Sequence, residues 1–353
     1  MAQKIATTSG DNENDGTRRP RVPTMKQIAE EAKVSIKTVS RVMNNDPAVK
    51  EATRSKVMDV AGTLGYRPNT PARTLVTGRS KTIGLLISDI GNYFFSEIVK
   101  GVQVATEEEG YSLLLCDTGE NPDTELRCVD LLLGHKVDGL ILSSSRLKDD
   151  QISNVAKYSD VVLCNRTHPD EKVRSVCIED NALHLATEHL IELGHRHFGY
   201  IGGPVRGRAA WMREEGCREV LARHGFEKPI VASGFPVSIE GGYEAMNWIL
   251  DVKPEVSAIV TYNDMLAIGA MKAVQARGLK VPEDISVVGF DDLNFAAHTN
   301  PPLTTVSVPI FRFGYKAAQL LFGAIRPNGD DTPHSDVIKC HLVIRSSTGK
   351  VKA

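Results

Sequence analysis

Short, almost unbroken apolar runs, separated by longer amphipathic stretches, constrain this chain more than anything else in it. Ile83-Gly84-Leu85-Leu86-Ile87, Tyr111-Ser112-Leu113-Leu114-Leu115, Gly139-Leu140-Ile141-Leu142 and Val161-Val162-Leu163 are each of strand length. Helical stretches such as 95–109 and 124–133 lie between them. A strand that is apolar on both faces must be covered on both faces, which is the condition of a parallel sheet wrapped by its own crossover helices. The rhythm restarts after Asp180 with runs at 197–201, 230–232, 258–260 and 285–288. Two α/β lobes of similar size therefore follow one another. Ligands of such sheets bind beyond the carboxyl ends of the strands, so two facing lobes make a cleft.

The first 80 residues follow a different plan. Thr24-x-x-Gln27 forms a capping box for a helix from Met25 to about Ala32, with Ile28, Ala29 and Ala32 on one face. Ser35 is a good N-cap for a second helix carrying Ile36, Val39 and Val42-Met43. Only Lys33 and Val34 separate the two, so the pair must turn sharply, as a helix-turn-helix does. A third helix, about 50–64, points Val57, Val60-Ala61 and Leu64 inward and stops at Gly65. Residues 18–81 hold 14 Lys/Arg against 5 Asp/Glu, while the whole chain is at −2, so a small basic head joins a larger acidic body. That division suggests a polyanionic partner for the head alone.

Residues 1–22 are polar, end in Arg18-Arg19-Pro20-Arg21, and read as a mobile arm. After Gly65-Tyr66-Arg67-Pro68-Asn69, a linker, Pro71 suits the first turn of a helix over about 70–75. So short a helix is not stable alone in water and should order only when something packs on it.

The six cysteines form no CxxC pair and sit mostly in apolar runs, so they read as reduced, buried thiols; neither a metal site nor a cofactor is called for. The N-terminus has no apolar signal region and no stretch of 18 apolar residues occurs, so a cytoplasmic chain without a membrane segment is expected. There is no G-x-x-x-x-G-K-[ST] and no strand-linked G-x-G-x-x-G, and His184, His189, His195 and His197 cluster without a recognisable nucleophile. No enzyme is expected. The alternatives are a cytosolic ligand-binding protein or a sugar-metabolising α/β enzyme with no DNA function.

The motifs I-A-E-E-A-x-V-S-x-x-T-V-S-R-V-x-N, P-N-x-x-A-R-x-L, G-L-L-I, V-D-G-L-I-L, L-I-x-L-G-H-R, N-D-x-x-A-I-G-A, V-P-E-D-I-S-V-V-G-F-D-D and P-P-L-T-T-V occur in this order from Thr24 to about Ser347. Together they resemble the lactose-repressor/galactose-repressor (LacI/GalR) family of bacterial transcriptional regulators. The resemblance implies a multidomain chain: an arm (1–22), an all-α helix-turn-helix head (23–69), a hinge helix and linker (70–80) and a periplasmic-binding-protein-like core (81–347). The core would have an N-lobe of about 81–180 plus 308–326 and a C-lobe of about 181–307 plus 327–347. It implies an effector-controlled regulator, expected to act as a repressor, that binds pseudo-palindromic double-stranded operator DNA as a homodimer. Some relatives form tetramers through a C-terminal leucine-heptad tail; with S-S-T-G-K-V-K-A following Arg345, a dimer without such a tail is expected.

By the same resemblance the second helix lies in the major groove with Ile36, Lys37 and Arg41 at base-reading positions. Arg41 offers the fork that fits guanine O6 and N7, while Ile36 suits a thymine methyl. Ser35, Thr38 and the helix N-termini are better placed for phosphates, and Asn44 is counted among the DNA-binding residues. Leu75 matches the hinge leucine wedged into the minor groove, Ala72 lets two hinge helices approach, and Arg73 meets the backbone.

For the effector, the resemblance assigns Arg213, in G-G-P-x(8)-R, and Asp291, the first Asp of G-F-D-D, to the grip on sugar hydroxyls or a carboxylate. Phe94 and Phe95 match the N-lobe pocket wall, though core packing suits them equally. Asn165 and Arg166 lie at the N-lobe rim, and Phe235 is near a stacking position with one residue more than usual before Gly242. Asn263-Asp264 fits a structural role better than a ligand contact. Gly207 replaces a polar ligand-contacting residue. Arg206 and Arg208 flank it, either of which can enter the cleft, and their charge points toward an acidic or phosphorylated sugar.

Overall fold

In the computed structural model, the described residues are 23–44, 46–66, 78–179, 181–203, 208–326 and 335–352. The chain divides into two units, residues 1–78 and 79–353.

The first unit is built on α1 (Met25–Glu31), α2 (Ile36–Met43) and α3 (Glu51–Thr63). The capping box is formed: Thr24 N donates to Gln27 Oε1 at 2.8 Å and Gln27 N to Thr24 Oγ1 at 3.4 Å. Ser35 Oγ accepts from Thr38 N at 3.0 Å. The turn between α1 and α2 puts Lys33 at φ 52°, in the left-handed region, which is how two residues reverse the chain. Ile28, Ala32, Val39 and Val57 have no exposure at all, and Val42 and Ala61 complete the thin core.

The second unit holds two six-stranded sheets. Its first sheet contains β1 (Thr82–Ile87), β2 (Ser112–Asp117), β3 (Gly139–Ser143), β4 (Asp160–Cys164), β5 (Arg174–Ile178) and β11 (Ser335–Ile338). The order is β11-β5-β4-β3-β1-β2, every pair parallel. The second sheet contains β6 (Phe198–Ile201), β7 (Ile230–Ala232), β8 (Ala258–Thr261), β9 (Ser286–Asp291), β10 (Thr304–Ser307) and β12 (His341–Val343). It repeats the order as β12-β10-β9-β8-β6-β7, with only β12 antiparallel. In each sheet the strand order reverses once, between β1 and β3 and between β6 and β8. Neighbouring crossovers there leave on opposite faces and open a crevice at the carboxyl ends.

One lobe boundary needs correcting. Residues 327–347 were expected to lie wholly in the C-lobe, yet β11 pairs in parallel with β5 of the N-lobe sheet and only β12 belongs to the C-lobe. The chain thus passes between the lobes three times, after β5, after β10 and between β11 and β12. The apolar content of 335–343 is too sparse to assign its strands to a sheet, because partner choice at a sheet edge is set by what is left unpaired. The cysteines are free as expected, but only Cys164 and Cys217 are fully buried; the other four are half-buried.

The helices covering the N-lobe include α4 (Tyr93–Glu108) and α11 (Ile310–Ile325), which cross at a pair of glycines. A Cβ on Gly101 would stand 2.0 Å from Phe311 O, and one on Gly314 2.2 Å from Ile98 O. The backbones touch there, which ties the last helix of the chain to the first helix of the lobe. In Gly101→Ala the helices must move apart, with a loss of about 1–3 kcal/mol in denaturant unfolding of the full chain. Gly134→Ala, at the end of α5 (Pro122–Gly134) with open space around its Cβ position, should change stability by no more than about 1 kcal/mol. Equal losses from the two would refute the close contact.

Candidate functional site

Helix α2 turns Val39 and Val42 inward and leaves Ile36, Lys37 and Arg41 outward. Half of Ile36 is exposed although it has no core to join, a placement that a folding argument alone does not explain. Arg41 reaches Asp46, with Nε 3.5 Å from Oδ2, an exposed ion pair that a stronger acceptor can displace at a cost of about 0–1 kcal/mol. Ser35 spends its hydroxyl on the N-cap and stands 2.9 Å from Thr38 Oγ1; Asn44 is exposed at the C-cap. The expected hinge residues Ala72, Arg73 and Leu75 lie outside the described residues, as does Arg206.

Between the two lobes lies a cleft of about 640 Å³, counted out to open solvent. Its C-lobe wall comes from strand ends, as the strand-order reversals require: Tyr262 and Asn263 follow β8, and Asp291 ends β9. Arg213, on α8 (Arg208–Arg223), reaches them from the side.

Arg213 is buried, and its guanidinium is held on every side. It lies 3.7 Å from the centre of the Phe290 ring and 4.5 Å from that of Tyr262, and Nη1 donates to Tyr262 O at 2.6 Å. Its Nη2 stops 3.7 Å from Asp291 Oδ1, close enough for attraction but too far for a hydrogen bond. Asp291 Oδ1 is consequently a buried oxygen with no hydrogen-bond partner. Burial pushes the Asp291 carboxyl up to about 7, with Arg213 pulling the other way. The residue also has φ 114°, a left-handed backbone that a non-glycine residue adopts only when its surroundings impose it.

The turn that follows Asp291 is held by Asp264. This carboxylate is fully buried and accepts from Leu293 N at 2.8 Å and Thr305 Oγ1 at 2.6 Å, tying the exit of β9 to β10. Burial raises its pKa well above the ordinary value, and the nearby Asp291 raises it further. Asn263 caps α10 (Asp264–Ala276) by accepting from Leu266 N at 3.1 Å. The Asn263-Asp264 pair thus shapes the wall.

On the N-lobe wall, Asn92 Oδ1 accepts from Phe94 N at 3.0 Å and starts α4, which brings Phe94 and Phe95 to the cleft. Both are nearly buried, edge-to-face at 5.4 Å, and belong to the core as much as to the wall. Asn165 lines the cleft with φ 60°. Arg166 also lines it, but its guanidinium is occupied by Ser145 O, Leu147 O and Asp149, so it braces the rim. Phe235 is not brought to the cleft: it packs half-buried on the C-lobe core, and Val237 takes the lining place. Gly234 (φ 87°) turns the chain before Phe235, and Ser238, which accepts from Gly241 N at 3.1 Å, starts the next helix.

Arg208 lines the cleft and donates to Thr167 Oγ1 on the opposite lobe. Arg146, Tyr262 and the Ser144-Ser145 pair line it too and were not singled out from the sequence. Their signal was position: Ser144, Ser145 and Arg146 are the first three residues after β3, and Tyr262 the first after β8, both strands of a reversal. Of the clustered histidines, His195 is fully buried and contacts Ser257 Oγ, Ser286 Oγ and Gly349 O at 3.0 Å each. No group of three or more His, Cys, Asp or Glu able to hold a metal occurs among the described residues, and no helix among them is long and apolar enough to cross a membrane.

Two family models match this chain. Residues 24–69 match bacterial regulatory proteins of the lacI family, and 80–346 match the periplasmic binding proteins and sugar binding domain of the LacI family. The chain is 34% identical to the HTH-type transcriptional repressor CytR of Escherichia coli (strain K12) over 329 residues, 92% of this chain and 96% of CytR. It superposes on the lac repressor dimer bound to operator and the anti-inducer ONPF with a TM-score of 0.85 at 28% identity, covering 93% of this chain and all of that one. A complex of the transcriptional regulator CelR with cellobiose matches with a TM-score of 0.69 at 32% identity, over 92% of this chain and 99% of that one. With both parts matched in order and a relative aligned almost end to end, this chain belongs to the LacI family of bacterial regulatory proteins.

Proposed function

We propose that this LacI-family regulator is a cytoplasmic homodimeric repressor whose hold on a pseudo-palindromic operator is set by a polyhydroxylated small molecule, a sugar or sugar derivative, bound between the lobes. The observation that carries the effector half is the buried, unbonded Asp291 Oδ1 beside the Arg213 fork. A buried acceptor left without a donor is costly, and a ligand hydroxyl can satisfy it. The observation that carries the DNA half is the outward set Ile36, Lys37 and Arg41 on a helix within a basic unit. The operator in the lac repressor complex and the cellobiose in the CelR complex lend support by likeness.

Arg41 is assigned to a guanine edge, Ile36 to a thymine methyl and Lys37 to a base or phosphate, while Ser35, Thr38 and Asn44 lie along the backbone. Ala72, Arg73 and Leu75 are assigned to a hinge that orders on DNA. In the cleft, Asp291 accepts from ligand hydroxyls, Arg213 donates, and Phe94, Phe95 and Asn165 bound the ring. Lobe closure is the element that both ligands bias, so operator must change effector affinity by the factor by which effector changes operator affinity.

Arg41→Ala should weaken binding to a selected operator by about 1–3 kcal/mol, roughly 5- to 150-fold, and leave binding to random duplex within about twofold. Anisotropy titration at fixed salt reads both, and equal losses would remove Arg41 from base reading. A thermal-shift screen of sugars, sugar acids and nucleosides should yield hits that Asp291→Asn and Arg213→Ala each abolish; a hit indifferent to both would put the effector elsewhere.

Binding should also depend on pH with a definite sign. With the free carboxyl at about 7 and donors favouring the anion, protonation competes with the ligand. Affinity should then fall roughly tenfold from pH 8 to pH 6. Asp291→Asn should flatten whatever binding remains, and a pH-independent wild type would contradict the assignment.

A further inference from the structure

The cleft does not end at its N-lobe rim. A second concavity shares Ser145, Arg146, Arg166 and Arg208 with it and continues outward past Lys148 and Thr167. Its volume, counted out to open solvent, is about 1190 Å³. Most of the charge around the joined space is matched. Arg166 pairs with Asp149, Arg146 Nη2 lies 3.3 Å from Glu120 Oε1, and Arg213 faces Asp291. Two cations are left over. Among the described residues, neither Arg208 nor Lys148 has a carboxylate within ion-pair distance, and Arg208 is held only by the neutral hydroxyl of Thr167.

Resting on the effector reading above, we propose that the effector is a phosphate monoester, with its polyhydroxylated part against Asp291 and Arg213 and its phosphate in the outer concavity between Arg208 and Lys148. The stoichiometry of charge selects the group. Two unmatched cations call for a dianion; a phosphate monoester carries about −1.5 to −2 near neutral pH, whereas a carboxylate would leave one cation unmatched. The guanidinium fork gives paired charge-assisted hydrogen bonds to phosphate oxygens, and the lysine adds a point charge. The two cations come from different lobes, Arg208 from the C-lobe and Lys148 from the rim that precedes α6 (Asp149–Ala156). A phosphate bridging them therefore holds the lobes together, and a neutral sugar in the inner cleft does so less. The remaining carboxylates at the rim, Asp149 and Glu120, are turned to Arg166 and Arg146, so they do not repel the incoming group.

The test uses the full-length chain and inorganic phosphate, followed by ³¹P line broadening and calorimetry in low-chloride buffer at pH 7.5. Saturable binding is expected, weakened at least fivefold by Arg208→Gln or Lys148→Gln and at least twentyfold by both. Sulfate should compete, while Lys157→Gln, at the far end of α6, should alter affinity less than twofold. Any phosphate held by the basic head is common to all variants and cancels in the comparison. Absence of saturable binding, or a double variant that binds like the wild type, overturns the phosphate subsite. Either outcome leaves the effector cleft standing as long as hits in the sugar screen still depend on Asp291.

Discussion

A carboxylate oxygen without a partner, held 3.7 Å from a guanidinium that has other commitments, is the constraint around which the core is arranged. Left to relax, Asp291 and Arg213 would close to a hydrogen-bonded pair. They do not, because each is fixed from behind. Arg213 is clamped between the Phe290 and Tyr262 rings and bonded to Tyr262 O. Asp291 ends β9 with a left-handed backbone, and the turn after it is held by the Asp264 carboxyl, which accepts from Leu293 N and Thr305 Oγ1. Strain and an unmet acceptor persist only where the rest of the structure over-determines them. Here the surroundings are the fully buried strand β9 and its parallel neighbours β8 and β10.

That arrangement explains why the cleft lies where it does. Both sheets reverse strand order once, and the residues after the strands flanking each reversal, Ser144 and Ser145 on one lobe and Tyr262 on the other, line the same space. Three chain passages join the lobes, and Arg208 reaches from one rim to Thr167 on the other. A ligand that touches both walls must change the free energy of lobe closure, and a ligand that touches one wall alone cannot. The N-lobe that would transmit this change is stiffened where Gly101 and Gly314 let α4 and α11 touch backbone to backbone.

The head works by different physics. Its core is seven small or branched side chains, enough to keep three helices together. Its outer face carries an exposed isoleucine and an arginine held only by a surface ion pair. Few of its interactions resist a competing polyanion, which suits a reading surface. Around the effector cleft of the core, by contrast, most charges stand in matched pairs, Arg146 with Glu120 and Arg166 with Asp149.

Periodicity made the element plan legible before any coordinates: the capping box at Thr24, the two-residue turn at Lys33 and the apolar strand runs all appear as expected, because they depend on local sequence and burial on both faces. Arg213, Asp291, Phe94 and Asn165 could be assigned from motif likeness, and the fold brings all four to one cleft. Phe235 could not, since whether it or Val237 faces the cleft depends on the path of the chain between the Gly234 turn and the Ser238 N-cap. Arg166 kept its place but not its freedom, as its acceptors come from a loop some twenty residues earlier in the chain. The assignment of β11 to the N-lobe and the surplus charge of Arg208 and Lys148 were likewise decided only by folding. Local sequence determines which segments are strands and helices and which faces are apolar. Which charges find partners, and which acceptor is left waiting, is a matter of distances between residues far apart in the chain, and those exist only once both lobes are packed.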